Sequence, residues 1–196
     1  MILALAVVAG LLAGLGWARW LNRPYQPPEL NFLWLVFIAF LPQFVVFYLP
    51  GTRQLISDRW VALLLPLSQA LLLTFAWLNR RQPGMMILLI GTALNLTVIA
   101  ANSGFMPISP QTASRLVSQE VLDDIQPGER FGTKDILLHP QETRFEWLAD
   151  RFLPPAWFTY QVAFSIGDVF IAIGVFWLLA RQEIYQNKLY PQGKTI

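Results

Sequence analysis

Five long apolar stretches, separated by short segments rich in Pro, Gly and Arg, dominate the pattern of this chain. Their approximate bounds are 1–18, 31–49, 60–78, 85–101 and 160–180. A helix of about 20 apolar residues crosses the ~30 Å hydrocarbon layer of a bilayer. The pattern therefore predicts an all-α fold, in which a polytopic membrane bundle of five helical spans forms a single domain over residues 1–196.

The first stretch has its basic residues after the apolar run rather than before it, so we expect an uncleaved helix rather than a signal peptide. Within it, Gly10, Gly14 and Ala18 recur every four residues. This spacing is typical of close contact between helices. A lipid-facing helix that tolerates glycine fits the same residues equally well, and both interpretations stay open here.

The segment between the fourth and fifth stretches, about 102–159, is too long and too patterned for a bare linker. It begins with a turn signal at Asn102, Ser103 and Gly104, followed by Pro107. Apolar residues then recur with helical spacing in two sets, which are Ala113, Val117, Val121 and Ile125, and Phe145, Leu148, Ala149 and Phe152. Both sets predict short amphipathic helices that cap the bundle or lie on the membrane surface, with substrate gating as the alternative.

Four polar residues interrupt the apolar stretches at similar depth, namely Asp168, Asn95, Gln69 and Gln43. Polar side chains in membrane spans tend to face protein rather than lipid, and a carboxylate there usually has a partner. We therefore expect one polar cluster around Asp168, beneath the long loop. The cluster is either a set of hydrogen bonds between helices or a small polar pocket open to the outside.

Composition narrows the function classes. The chain is 55% hydrophobic and only 13% charged, where a soluble domain has about 25% charged residues. A net charge of +2, without a basic patch, gives no indication of a nucleic-acid partner. The absence of cysteine and the single histidine, His139, leave no thiolate or bis-histidine metal or haem site within the chain. We identify no catalytic set and no cofactor; contact with lipid, pigment or quinone through Trp and Phe side chains stays open.

The distribution of Lys and Arg predicts the orientation in the membrane. With the N-terminus outside, the cytoplasmic connections carry seven basic residues, which are Arg19, Arg23, Arg80, Arg81, Arg181, Lys188 and Lys194. The short outer connection carries only Arg53 and Arg59. The count predicts an N-terminus outside, a cytoplasmic C-terminus and an extracytoplasmic long loop.

Two resemblances rest on short motifs. The segments ANSGFMPIS, TKDILL, ETRFEWLADRF and FSIGDVFIAIGVF resemble a family of small bacterial membrane proteins known only as a domain of unknown function. This resemblance implies a five-span bundle in the bacterial inner membrane and supplies no activity. FSIGDVFIAIG also resembles the second aspartate motif of lipoprotein signal peptidases, which use two aspartates. The first aspartate motif is matched only around Asn95, where Val98 stands in place of the carboxylate.

Three functions fit these observations. The leading one is a non-catalytic subunit or assembly factor of a larger bacterial membrane complex, with lipids and other membrane-protein subunits as partners. The alternatives are a small transporter or permeation component centred on Asp168, and a membrane-embedded hydrolase related to the signal peptidases. Native purification discriminates them best, because a stable partner favours the first function and a lone monomer favours the others.

Overall fold

The computed structural model describes residues 2–48 and 56–181. Most of this part of the chain is helical. The long helices are α1 (Ile2–Trp20), α2 (Trp34–Tyr48), α3 (Asp58–Leu78), α4 (Met85–Ala101) and α7 (Ile166–Ala180). Between α4 and α7 lies a smaller unit, called the cap below, which holds the short helices α5 (Pro110–Ala113) and α6 (Gln119–Asp123) and three strands.

The long helices pack in the order α1, α7, α4, α3, α2, so the last helix of the chain lies between the first and the fourth. Close contacts fix their directions. Gly10 lies against Phe176 and Gly14 against Leu179, so α1 and α7 are parallel, whereas Gly84 lies against Gly174 and α4 is antiparallel to α7. The end of the layer where α4 stops and α7 starts carries the cap; the opposite end carries Arg19, Arg80 and Arg181 and is called the basic end.

The helix ends differ from the predicted bounds at several positions. Helix α4 covers the predicted fourth stretch, whereas α2 starts at Trp34 instead of residue 31 and α3 at Asp58 instead of residue 60. The largest difference is α7, which starts at Ile166 rather than residue 160, because the chain before it is extended and Phe164 pairs with Phe152. Asp168 therefore lies in the first turn of a helix and not eight residues inside a span.

Two of the described helices, α1 and α3, are long and apolar enough to cross a membrane, as judged by length and composition. Helices α4 and α7 are shorter apolar helices of 17 and 15 residues. At 1.5 Å per residue, α7 is only about 22 Å long.

Small residues form the contact between α4 and α7. A Cβ atom on Gly91 would lie 2.6 Å from the Gly167 oxygen, and one on Gly174 would lie 2.6 Å from the Leu88 nitrogen. Real Cβ atoms do not approach backbone atoms this closely, so only glycine allows the two helices to come so near. Helix α1 contacts α7 through its buried small face, which contains Gly10, Gly14 and Ala18. The helix-contact interpretation of that spacing is therefore the one that the structure adopts.

The cap contains a three-stranded sheet that the sequence analysis did not predict. Its strands are β1 (Met106–Ile108), β2 (Arg130–Phe131) and β3 (Asp135–Leu137), in the order β1-β3-β2. β1 pairs with β3 in parallel, and β2 pairs with β3 in antiparallel fashion. The fold is thus mostly helical rather than purely α. Strands of two or three residues are too short to produce a readable alternation of apolar and polar positions.

Both predicted amphipathic helices in the cap are interrupted. The first is split into α5 and α6: after Ser114 the Arg115 and Leu116 N–H groups donate to carbonyls three residues back, and Ser118 starts a new helix. The second is reduced to a single 3-10 turn, Glu146–Leu148, after which Asp150 pairs with Ile108 in an extended conformation. In this part of the cap, pairing with a neighbouring strand overrides the helical spacing of the apolar residues.

The cap and the helix layer share one hydrophobic core. Val61, Leu65, Val98 and Ile99 of α3 and α4 form a buried cluster with Phe105, Met106, Ile136 and Leu148 of the cap. A second buried cluster lies inside the cap and contains Ile108, Ala113, Leu122, Phe131, Leu137 and Ala163. Because the first cluster crosses the boundary, the cap is held in one position against the ends of α3 and α4.

Candidate functional site

The start of α7 is built around a reciprocal pair of side chains, Ser165 and Asp168. The Asp168 backbone N–H donates to Ser165 Oγ at 3.1 Å, and the Ser165 backbone N–H donates to Asp168 Oδ2 at 3.0 Å. This capping box satisfies two N–H groups that the helix itself leaves without an acceptor. The sequence Ser-Ile-Gly-Asp thus sets the first residue of α7. The Asp168 carboxylate has a structural role, because it caps this helix.

Asn95 of α4 joins this pair to the neighbouring helix. Its Nδ2 donates to Asp168 Oδ1 at 2.8 Å, and its Oδ1 accepts from the Ser165 hydroxyl at 2.9 Å. Asn95 and Ser165 are both buried. Gly167 makes the approach possible, since a Cβ there would lie 2.0 Å from Asn95 Oδ1. Both oxygens of Asp168 therefore accept hydrogen bonds, and three side chains lock α4 to the start of α7.

Gln69, another of the polar residues singled out in the sequence, stands apart from this group. It lies in α3 and makes no hydrogen bond with Asp168 or Asn95, and among the described residues its buried Oε1 has no partner. The side chain of Gln43 lies outside the part of the structure that is described. Of the four residues expected to form one polar cluster, the structure brings together Asp168 and Asn95.

The motif turn after α4 holds the cap in place. Asn102 donates through Nδ2 to the carbonyls of Val98 and Arg144, at 2.8 and 2.9 Å, and its Oδ1 accepts the Arg144 N–H at 3.0 Å. Gly104 has φ +85°, and its Cα lies so close to α3 that a Cβ would be 2.1 Å from the Ala62 oxygen. Pro107 is fully buried in β1, where its carbonyl accepts the Asp150 N–H at 3.0 Å. These residues have structural roles.

A second polar group, which the sequence analysis missed, lies where the cap meets α7. Lys134 Nζ donates to Asp150 Oδ2 and, at 3.1 Å, to Asp135 Oδ1. The Asp150 side chain has no exposed surface, whereas about a third of the Lys134 side chain (32%) is exposed. Asp150 Oδ1 is buried and has no hydrogen-bond partner within residues 2–48 and 56–181. No spacing in the sequence links Lys134 and Asp150, because a strand and a 3-10 turn separate them along the chain.

Backbone pairing places this group beside Asp168. Strand β1 lies between the chain segments that carry Lys134 and Asp150. The Met106 N–H donates to the Lys134 carbonyl, and the Pro107 carbonyl accepts the Asp150 N–H. Two residues after Asp150, Phe152 forms an antiparallel bridge with Phe164, which directly precedes Ser165. Asp150 is thereby brought next to the first turn of α7, and the charges of Lys134, Asp150 and Asp168 act on one another.

The electrostatic environment follows from one ammonium group among three carboxylates. Burial raises the pKa of the Asp150 carboxyl well above its usual range; the Lys134 ammonium opposes this shift, while the charges of Asp135 and Asp168 add to it. Burial lowers the pKa of Lys134, but its three carboxylate neighbours outweigh burial and raise that pKa above its usual value. Lys134 is therefore held as a cation, and the Asp150 carboxyl ionises with difficulty.

The profile of one protein family matches residues 28–180, which is most of the chain. The chain belongs to the family of unknown function DUF5317. The resemblance drawn from the ANSGFMPIS and FSIGD motifs is thereby confirmed at the level of an unknown-function family. Every residue of the two polar groups, from Asn95 to Asp168, lies inside the matched range.

A relative of this DUF5317 member is an uncharacterised protein of Thermotoga maritima. The two are 29% identical over 148 residues, which cover 73% of this chain and 77% of the relative. No solved structure matches the chain.

The chemistry open to this site is that of carboxylates and an amine. Within residues 2–48 and 56–181, no three His, Asp or Glu side chains are placed so that they could hold a metal ion. Each oxygen of Asp168 accepts one hydrogen bond. Asp150 has one buried oxygen that accepts no hydrogen bond from any described group, which makes it the chemically unsatisfied member of the site.

Proposed function

We propose that this DUF5317 member is a multi-pass protein of the bacterial inner membrane, in which α1, α2, α3, α4 and α7 are the five spans. The observation that carries the proposal is the apolar outer surface of the helix layer. Leu12 of α1, Phe37 of α2 and Leu63 of α3 are 65%, 67% and 63% exposed. Such a surface, continuous over several helices, is unfavourable in water and suits lipid.

The proposed orientation places the cap outside and the basic end in the cytoplasm. Arg19, Arg23, Arg80, Arg81 and Arg181 are all exposed at the basic end. Of the other residues in the charge count, Arg53, Lys188 and Lys194 lie outside the described ranges. An excess of Lys and Arg in short connections marks the cytoplasmic side.

Within the membrane, we propose that the protein is a non-catalytic subunit or stabilising factor of a larger complex. The support is the state of Asp168, the residue best suited to a chemical role in the apolar part of the chain. Its Oδ1 accepts the hydrogen bond from Asn95 that joins α4 to α7, and its Oδ2 accepts the Ser165 N–H that caps the start of α7. Both oxygens thus take part in holding the fold together, which favours a structural role for Asp168 over a chemical one. Exposed aromatic side chains such as Trp157 (81%) and Trp20 (73%) supply surface for neighbouring subunits or lipid.

A pair of arginine substitutions tests the membrane proposal. Leu63→Arg places a charge on the outer face of α3, five residues from its start. A charge at the centre of a span costs about 2.5–3.5 kcal/mol of insertion free energy, and one nearer the helix end costs part of that. Glu120→Arg, on the exposed surface of α6, is the matched control. We expect Leu63→Arg to reduce the amount of protein in washed membranes while the control does not. Equal amounts of the two variants would contradict the proposal.

Topology and partners need separate measurements. A reporter active only in the cytoplasm should give signal when fused at the C-terminus and none when inserted near Gln126 in the cap; signal from Gln126 would reverse the orientation. Purification from native membranes in mild detergent should yield a membrane protein in fixed stoichiometry with this chain. A monomer that carries only lipid would contradict the subunit proposal and favour the transport alternative.

A further inference from the structure

The junction between the cap and α7 contains more carboxylates than its ammonium group can balance. Three carboxylates, Asp135 from β3, Asp150 from the segment after the 3-10 turn and Asp168 from α7, surround the single ammonium group of Lys134. The group that α4 contributes, the Asn95 amide, is neutral. With every group ionised the cluster carries a net charge of −2. Buried charge of this kind is costly unless it is paired or neutralised by a proton.

The hydrogen bonds decide which carboxylate has room for a proton. Asp168 accepts an N–H donor at each oxygen, so neither oxygen is without a hydrogen-bond partner. Asp135 contacts the Lys134 ammonium and keeps some exposure to water (15%). Asp150 is fully enclosed; Lys134 contacts its Oδ2, and no donor among the described residues reaches its Oδ1. A neutral hydroxyl at this oxygen is less costly than an anionic oxygen without a donor.

We propose that the cap junction is a proton-binding site, in which Asp150 holds a proton on Oδ1 at neutral pH and this proton stabilises the docking of the cap on the helix layer. Releasing it leaves an unbalanced charge between β1 and the start of α7, where Asp150 also donates its backbone N–H to Pro107. Relief of that charge requires water to enter between the cap and α7. Protonation and cap docking are thus linked through one residue.

The pKa shift of Asp150 agrees with this geometry. Its largest cause is burial, which raises the pKa well above 3.8, and among its charged neighbours Lys134 lowers it while Asp135 and Asp168 raise it. The residue that holds the proton, Asp150, belongs to the cap and not to one of the long apolar helices. The assignment of this proton does not depend on the membrane orientation or on the identity of a partner.

Infrared spectroscopy of the purified full-length protein tests the assignment, because a protonated carboxylic acid has a carbonyl stretch that carboxylates lack. At pH 7, well above the ordinary aspartate pKa of about 3.9, the wild type should retain this band. Asp150→Asn, which keeps the shape of the side chain, should remove it. Absence of the band in the wild type, or its persistence in Asp150→Asn, would overturn the proposal.

Two further variants test the same assignment through the wild-type Asp150, should Asp150→Asn fold poorly. Asp135→Asn removes a charge that raises the Asp150 pKa, so the midpoint of the band should move to lower pH. Lys134→Met removes the charge that lowers it, so the midpoint should move to higher pH. Shifts in the same direction, or no shift in either variant, would refute the assignment.

Hydrogen exchange tests the link to cap docking. After correction for the intrinsic pH dependence of exchange, the amides of Leu148, Ala149 and Asp150 should exchange faster above the band midpoint than below it. In Asp150→Asn the corrected rates should not depend on pH over that range. Corrected wild-type rates that stay constant through the midpoint would show that the proton does not control docking.

Discussion

Substitutions at Asp168 give the sharpest test of the structural role assigned to the start of α7. Asp168→Leu removes the acceptors for Asn95 Nδ2 and for the Ser165 N–H, at 2.8 and 3.0 Å in the wild type. Hydrogen bonds to a charged group contribute about 1.5–3 kcal/mol each. The Asn95 amide, which is only 4% exposed, would also be left without an acceptor. We expect the free energy of unfolding to fall by about 3 kcal/mol or more.

Two milder variants should give smaller losses of unfolding free energy, with which the loss in Asp168→Leu can be compared. Asp168→Asn keeps one oxygen for Asn95 but places an amide against the Ser165 N–H, so it should lose one of the two bonds, about 1.5–3 kcal/mol. Ser165→Ala removes the side-chain cap from the Asp168 N–H, a loss of about 0.5–2 kcal/mol. Thr97→Ala is the control, because Thr97 is exposed on α4 and its hydroxyl bonds only within that helix.

The assay is equilibrium unfolding of the detergent-purified protein, with a double-mutant cycle between Asn95→Ala and Asp168→Ala. The two side chains share a hydrogen bond, so the loss in the double variant should differ from the sum of the single losses by at least about 0.5 kcal/mol. A Leu variant within about 0.5 kcal/mol of wild type, which is the range of an ordinary surface change, would refute the reasoning. So would strict additivity in the cycle.

Three further outcomes follow from the packing, the motif turn and the junction. Gly91→Leu should abolish folded yield on size-exclusion chromatography, because its Cβ would lie 2.6 Å from a backbone oxygen of α7, whereas Gly16→Leu, with open space around it, should be tolerated. Asn102→Ala removes two hydrogen bonds between α4 and the cap, so it should destabilise the protein by about 1–3 kcal/mol and speed amide exchange in the cap. Because the pKa of Asp150 is raised in the folded state, wild-type stability should fall as pH rises above 3.8 towards that pKa, and melting curves of Asp150→Asn should lack this decrease.

Much of the helix layer could be predicted from apolar length alone. The fourth stretch coincides with α4 because Gly84 and Asn102 end its apolar run sharply. The start of α7 could not be placed this way, since the mostly apolar residues 160–165 run without a Pro or Gly break into the helix that follows. The extended segment ends where Phe164 pairs with Phe152 and where Ser165 and Asp168 form the capping box of α7. The Ser-x-x-Asp spacing was a readable local signal for that boundary.

The polar site was only half readable for a similar reason. Asn95 and Asp168 stand out because they interrupt apolar sequence, and a polar residue in such surroundings usually seeks a partner. Lys134 and Asp150 lie in a polar segment where charged residues are common, so nothing distinguishes them from solvated neighbours. The burial of Asp150 and its contact with Lys134 result from the position of β1 between the two chain segments. That arrangement depends on pairings between residues distant in sequence, which local periodicity does not report.

The position of α7 between α1 and α4 has a consequence for biogenesis. Helix α1 packs chiefly on α7, yet more than a hundred residues separate Trp20 from Ile166. During synthesis, the small face of α1 therefore stays without its partner until α7 has been made. The cap segment precedes α7, so it can fold against α3 and α4 before that helix closes the layer. A chain that stops before Ile166 would leave the glycine faces of α1 and α4 bare, which is a defect that quality-control proteases can recognise.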